Sequence, residues 1–337
     1  MANKAEAVSL RKGLSEVVEV ILDHDSFVLL EHQKPDGDCV GSGLALVQAL
    51  RSLGKQALLV SDDPHPAVYD FLPGRRFHTR AGYLKPEDFH PQVAIFLDCT
   101  DPERAGRGLE FAAGKVWVNI DHHVSNRSFG AVNLVDPTAA ATGELVYDVI
   151  NELGIPIDKD IATCLYVAIL TDTGGFRYQN TTKETHLLAA ELLERGVNGS
   201  EIFDCVFETR TVSSIMLLSK VLSTLKLYRG GKIASVTLTQ EMMRASGASS
   251  EETEGIIGYP RSIAGVEVSL FFKESDEPGK VHVSFRSRSL VDVAAVAQSL
   301  GGGGHPRAAG ALIDGTIEEV TEKVMSYLDK LDVWTDF

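Results

Sequence analysis

The sequence predicts an α/β protein of two domains, a parallel-sheet N-terminal domain followed by a smaller C-terminal α/β domain. Apolar runs of strand length alternate with segments of helical period over the first 200 residues, as in strands joined by crossover helices. Past Leu225 the pattern changes to closely spaced strand-like runs. The 337 residues also exceed what one core of ordinary size organises. We assign residues 1–200 to the first domain, 201–225 to a helical linker and 226–337 to the second domain.

A first helix is expected over Ser9–Leu22. The apolar run Phe27–Leu30 reads as a strand ending at His32, and Cys39–Leu53 as the next helix, stopped by Gly54. Gln56–Val60 is the second strand. Ser61–Phe89, with several Pro and Gly, reads as irregular connections with a short helix. Val93–Leu97 and Val116–Ile120 are strands that end in Asp98 and in Asp121-His122-His123. Helices follow over Ala141–Leu153 and Asp160–Leu170, the second running into Thr171-Asp172-Thr173-Gly174-Gly175. Thr181 and Glu184 have capping-box spacing for a helix reaching Arg195, and Ser200–Ser223 reads as helix throughout. In the second domain, strands are expected at Lys232–Thr239, Val266–Phe272 and Val281–Phe285, the last two joined by a hairpin. A helix capped by Asp292 leads to the run Gly301–Gly310, then a final strand and a helix over Thr316–Leu331.

Three strands thus end in side chains that ligate metals. Open α/β sheets bind ligands beyond the carboxyl ends of their strands, and a random scatter of Asp and His would not fall there three times. The densest stretch is His32-Gln33-Lys34-Pro35-Asp36-Gly37-Asp38. Read as extended chain, Asp36 and Asp38 face one side about 6.5 Å apart. Two cations about 3.5–4 Å apart could each take one of these carboxylates. Pro35 stiffens the approach, and Gly37 admits backbone angles that a bulkier residue resists. A plain turn rich in Pro, Asp and Gly has the same composition, but Asp121-His122-His123 after an apolar strand has no such packing explanation. His32, Asp36, Asp38, Asp98, His122 and Asp172 together offer two imidazoles and four carboxylates, whose charge two divalent cations balance. That donor set favours manganese, with magnesium, cobalt or zinc as alternatives. With Asp98 bridging, a water held between the metals would lose a proton near neutral pH and attack phosphorus in line.

The net charge of −15 argues against a partner of long nucleic acid, which needs many surface cations, and leaves short oligonucleotides or small phosphorylated nucleotides. No apolar run approaches membrane-spanning length, and Met1–Lys12 lacks the apolar core of a signal peptide. Cys39, Cys99, Cys164 and Cys205 form no Cys-x-x-Cys pair, which suits a cytoplasmic location and argues against structural zinc. In the Gly-rich run, the backbone N–H groups of Gly302, Gly303 and Gly304 could form an anion-binding concavity.

The ordered motifs His32-x-x-Pro35-Asp36-x-Asp38, Asp98, Asp121-His122-His123 and Asp172 resemble those of the DHH phosphoesterase superfamily. Gly302-Gly303-Gly304-His305-x-x-Ala308-Ala309-Gly310 resembles the signature of the DHH-associated C-terminal domain. The chain length is similar to that of the stand-alone nanoRNase and phosphoadenosine-phosphate phosphatase branch rather than to full RecJ exonucleases. The resemblance implies an active site in the cleft between the domains and two metals. His32, Asp36 and Asp98 would hold one, and Asp38, Asp98, His122 and Asp172 the other. It implies that His123 contacts the scissile phosphate, that Asp121 orients the histidines, and that Arg286, Ser287 and His305, with the glycine amides and more weakly Arg288, grip a terminal phosphate or nucleotide. It also implies a homodimer. The activity implied is hydrolysis of very short oligoribonucleotides and of the 3′-phosphate of phosphoadenosine phosphate. The alternatives are turnover of cyclic di-AMP or pApA and, in another class, a nucleotide-binding regulator without turnover. Gln33-Lys34 departs from relatives that often carry Asn at the second position; we expect ligation to persist, with the hydrogen bonds of the loop open to change.

Overall fold

The computed structural model describes residues 4–85, 87–253, 255–331 and 334. It divides into two compact units, Met1–Thr209 and Arg210–Phe337. The first unit runs α1 (Lys4–Asp23), β1 (Ser26–Leu30), α2 (Gly37–Ser52), β2 (Gln56–Ser61), β3 (His78–Arg80), β4 (Val93–Leu97), β5 (Val116–Asp121) and β6 (Val132–Val135). It continues through α3 (Thr142–Glu152), α4 (Lys159–Asp172), α5 (Lys183–Glu194) and α6 (Gly199–Phe203). The six strands form one sheet in the order β3-β2-β1-β4-β5-β6, every pair parallel. Strand order reverses between β1 and β4, and in a doubly wound sheet that is where a ligand crevice opens.

Side-chain alternation sorts β1 and β4 onto two cores. Phe27, Leu29, Ile95 and Leu97 join the helical face with Leu44, Val146 and Leu165. Val28, Leu30, Ala94 and Phe96 face the other side, against Ala105 and Phe111 of the irregular segment after β4. Burial on both faces explains why β1 and β4 are apolar without a break.

On the helical face, α2 and α4 approach closely because α2 carries glycines at the contact. A Cβ on Gly41 would lie 2.5 Å from the Cys164 carbonyl oxygen, and one on Gly37 2.4 Å from the Thr171 methyl carbon. Gly37 is therefore needed for close packing rather than for unusual backbone angles. The positive φ of this loop falls on Lys34 instead, at 55°.

The second unit contains α7 (Val212–Leu222), β7 (Lys226–Tyr228), β8 (Ile233–Leu238), α8 (Gln240–Ser246), α9 (Gly258–Ser262), β9 (Val268–Glu274) and β10 (Lys280–Ser287). It ends with α10 (Val293–Ser299), β11 (Gly303–His305), β12 (Ala308–Asp314) and α11 (Ile317–Leu328). Its sheet runs β11-β12-β10-β9-β8-β7, antiparallel except for β8 and β9. No helix among the described residues is long and apolar enough to cross a membrane.

Several expectations are corrected. Helix α1 begins at Lys4, five residues before Ser9. Strand β1 stops at Leu30, although Glu31 N–H still donates to the Val60 carbonyl, so His32 stands just beyond the ladder. Strands β3 and β6, of three and four residues, are too short to show a period. The cap of α5 is Thr182 paired with Thr185, one residue later than expected. The stretch Ser200–Ser223 is not one helix: α6 passes into a π turn over Asp204–Glu208, and Thr211 then caps α7 by accepting from Ser214 N–H at 3.0 Å. Threonine hydroxyls compete with helical hydrogen bonds, which accounts for the break. The Gly-rich run enters the sheet as edge strand β11.

Candidate dimetal centre

Every ligand candidate of the first unit lies at or beyond the carboxyl end of β1, β4 or β5, or at the facing ends of α2 and α4. Asp36 caps α2, its Oδ1 accepting from Cys39 N–H at 3.1 Å, and Asp38 lies in the first helical turn. The two carboxylates are thus separated by a helix start and not by extended chain. Asp98 follows β4 with φ 55°, a left-handed conformation that Asp tolerates better than most residues. Asp172 is the last residue of α4.

The histidine tautomers follow from their carbonyl partners. His32 Nδ1–H donates to the Gln33 carbonyl at 2.8 Å and His122 Nδ1–H to the Ala139 carbonyl at 3.2 Å. Each Nε2 then faces carboxylates. His32 Nε2 lies 3.9 Å from Asp36 Oδ1 and 3.4 Å from Asp98 Oδ2. His122 Nε2 lies 3.8 Å from Asp38, 3.6 Å from Asp98 and 3.5 Å from Asp172, and is buried with no hydrogen-bond partner. Asp98 stands between the histidines, with one oxygen toward each.

The charges of this cluster are poorly balanced without cations. Burial, together with the charge of Asp98, pushes Asp38 well above the usual carboxylate range. Asp172 is pushed up to about 6, again by burial first and then Asp98. Asp98 is itself buried, yet the adjacent His123 and His32 outweigh burial and hold it far below that range. Burial lowers His32, and Asp98 more than reverses this. Crowded carboxylates and an orphaned imidazole nitrogen fit divalent cations. Candidate donor groups within 4.8 Å of one another are Asp38, His122 and Asp172; Asp98, His122 and His123; and His32, Cys39 and Asp98.

Asp121 ends β5 fully buried. Its Oδ1 accepts from His122 N–H at 2.8 Å, His123 N–H at 3.2 Å and His123 Nδ1 at 2.8 Å, and its Oδ2 accepts from Asn126. Those contacts, with Asp98, raise His123 to about 10 against the opposing effect of burial.

Sequence reasoning missed Thr142 and Gly143. At the start of α3, the N–H groups of Thr142 and Gly143 donate to Asp38 at 2.7 and 3.0 Å, and Thr142 Oγ1 donates to Asp98 at 3.0 Å. Thr142 had one signal, a polar residue opening a helix after three alanines. Cys39, read as an isolated thiol, is also beside the site, its Sγ–H donating to the Leu97 carbonyl and burial raising its thiol pKa.

In the second unit, Ser287 Oγ donates to the Val291 and Pro306 carbonyls, so the hydroxyl is already committed. Arg286 donates to its neighbour's carbonyl, Phe285, and exposed Arg288 to Arg261 and Ile263. Gly302 and Gly304 leave no room for a Cβ against β12, Gly303 is open, and His305 is exposed.

The description "DHH family, N-terminal domain" matches residues 26–169, and the DHHA1 domain matches residues 231–334. The chain is 39% identical over 298 residues to the bifunctional oligoribonuclease and PAP phosphatase NrnA of Thermus thermophilus, covering 87% of this chain and 86% of that one. The Bacillus subtilis protein of the same name is 27% identical, covering 89% of this chain and 93% of its own. The crystal structure of an exopolyphosphatase-related protein from Bacteroides fragilis superposes with a TM-score of 0.87 at 28% identity, over 95% of this chain and 96% of that one. With both domains matched in order and the site residues brought together, the chain belongs to the DHH family.

Proposed function

We propose that this chain is a metal-dependent phosphoesterase that hydrolyses short oligoribonucleotides to mononucleotides and removes the 3′-phosphate of 3′-phosphoadenosine 5′-phosphate. The observation that carries this reading is the Asp98 carboxylate, set between two imidazoles whose free nitrogens face separate groups of carboxylates. Near full-length similarity to proteins named for those two activities supports the substrate class. His32, Asp36 and Asp98 would hold one divalent cation, and Asp38, Asp98, His122 and Asp172 the other, with manganese first and magnesium or cobalt as substitutes. When bound, the cations supply positive charge that activates water and offsets the charge of the phosphate.

The chain's own groups do the rest. Asp121 fixes His123 through Nδ1 and leaves Nε2 as a donor to a phosphate oxygen. The DHHA1 region would hold the far end of the substrate through Arg286, Arg288, His305 and the amides of Gly302–Gly304. Ser287 shapes that loop through the carbonyls it already binds. The net charge of −15 is consistent with a preference for short substrates. The same reading takes the enzyme to be cytoplasmic and, as the resemblance implies, homodimeric.

The test is mononucleotide release from RNA dinucleotides to pentanucleotides, phosphoadenosine phosphate, pApA, cyclic di-AMP and long single-stranded DNA, with manganese and then with chelator. Fast, chelator-sensitive cleavage of the short RNAs is expected. Equal rates on long DNA, or activity confined to the cyclic dinucleotide and pApA, would overturn the substrate assignment.

A further inference from the structure

A second buried polar cluster lies behind the first metal-ligand loop, and the mechanism above does not use it. Glu31, immediately before His32, is fully buried in this parallel-sheet core. Its Oε2 accepts from His78 Nε2 at 2.9 Å. His78 opens β3 and is itself buried, and Arg75 Nη1 lies 3.2 Å from its Nδ1. A guanidinium only donates, so His78 Nδ1 is the acceptor and Nε2 carries the proton given to Glu31.

The same segment reaches the next residues of the loop. Asp62 accepts from Gln33 Nε2 at 3.3 Å, and Asp63 accepts from Lys34 N–H at 2.7 Å. Lys34 has φ 55°, a conformation costly for lysine unless something holds it. Gln33 N–H donates to the Arg104 carbonyl at 2.7 Å. Every residue flanking His32 from Glu31 to Lys34 is thus tied to chain outside the loop, while the side-chain hydrogen bonds of Asp38, His122 and Asp172 among the described residues run to Ser42, Ala139, Thr142, Gly143 and Asn180.

We infer that His78 is a positioning residue for one metal alone. Through Glu31, with Asp63 acting on Lys34, it fixes the backbone from which His32 and Asp36 reach the first cation, and the second cation depends instead on the meeting of α2, α3 and α4. The inference rests on the dimetal reading but not on the identity of the substrate. A carboxyl group held by a buried imidazole donor cannot move without breaking that bond, which would leave buried polar atoms unpaired.

The test is a manganese titration of the full chain followed by electron paramagnetic resonance and calorimetry, without substrate. The native protein should bind two ions. His78→Ala should weaken one of them by about 10–100-fold, the range found when an outer hydrogen-bond partner of a metal ligand is removed. The other ion should stay within about threefold. His78→Gln, whose amide N–H can occupy the place of Nε2–H, should recover most of the loss. Asp63→Ala, which leaves the buried pair intact, should weaken the same ion, and serves if His78→Ala does not fold. Equal weakening of both ions would show a general structural role and overturn the inference, as would native affinity in both variants. If the native chain binds no manganese, the dimetal reading fails and the inference with it.

Discussion

Replacing Gly41 with alanine tests how the fold sets the metal geometry. The added Cβ would sit 2.5 Å from the Cys164 carbonyl oxygen, 2.9 Å from Ala168 N and 3.0 Å from the Ala168 methyl. Two of these atoms belong to the α4 backbone, which cannot rotate out of the way. Restoring an ordinary contact of about 3.4 Å requires α2 and α4 to part by about 0.9 Å at this point. Overpacking of this kind costs about 1–3 kcal/mol, and the better helix propensity of alanine offsets about 1 kcal/mol of it. Stability should therefore change modestly. Activity should change far more, because Asp38 sits one turn before Gly41 on α2 and Asp172 one turn after Ala168 on α4. A displacement near 1 Å in a positioned site costs about 100-fold in rate. The assay is kcat on an RNA dinucleotide at saturating manganese, with the affinity of the ion proposed for Asp38 and Asp172, against thermal unfolding. Gly54→Ala is the control: its φ of 79° makes it costly by about 1–2 kcal/mol, yet nothing lies within 4 Å of the new methyl. Native turnover and metal affinity in Gly41→Ala would refute the claim that close packing of α2 on α4 sets the site.

Thr142→Val keeps the shape of a fully buried side chain and deletes its hydrogen bond to Asp98; a bond to a charged group is worth about 1.5–3 kcal/mol, so metal affinity should change by at least tenfold by titration, while Thr142→Ser stays close to native. Lys34→Asn should stabilise the protein by up to about 1 kcal/mol in denaturant unfolding, since asparagine tolerates the left-handed region better, and destabilisation would count against that reading of the loop. Glu267 provides a pH prediction. Burial would raise its pKa, but the N–H groups of Ser289, Leu290 and Val291, with the charge of Arg307, outweigh burial and hold it below the ordinary glutamate value of 4.5. A depressed carboxylate adds stability above its unfolded pKa and loses it as pH falls through the folded value. Glu267→Gln should therefore be less stable than native at pH 7 in thermal melts, and the gap should close as pH is lowered below about 4; a constant gap would contradict the assignment.

What was legible in the sequence was what depends on local order. The alternation of apolar runs and helical segments gave the parallel sheet, and burial of β1 and β4 on both faces explains why their apolar character was so clear. The site candidates His32, Asp98 and Asp121-His122-His123 were readable because each lies at the end of a recognisable strand, where chain direction alone places a side chain at the rim. Asp292 as the cap of α10 was likewise a local signal.

What the tertiary structure decided depends on contacts between segments distant in sequence. No local pattern could show that Gly37 and Gly41 serve close packing against α4, because the atoms they would meet belong to Thr171, Cys164 and Ala168. Nor could it show that Thr142, more than 100 residues from Asp38, completes that carboxylate's hydrogen bonds, or that His78 reaches back to Glu31. The one-residue shift of the α5 cap and the break at Thr211 have another cause: neighbouring threonines offer equivalent hydroxyls, and only packing selects which one is used. The sequence by itself determined which residues could bind metal and along which edge of the sheet they would lie. Their grouping into two sets around Asp98 was decided by the approach of α2, α3 and α4, because that distance depends on side-chain volumes at contacts far apart in the chain.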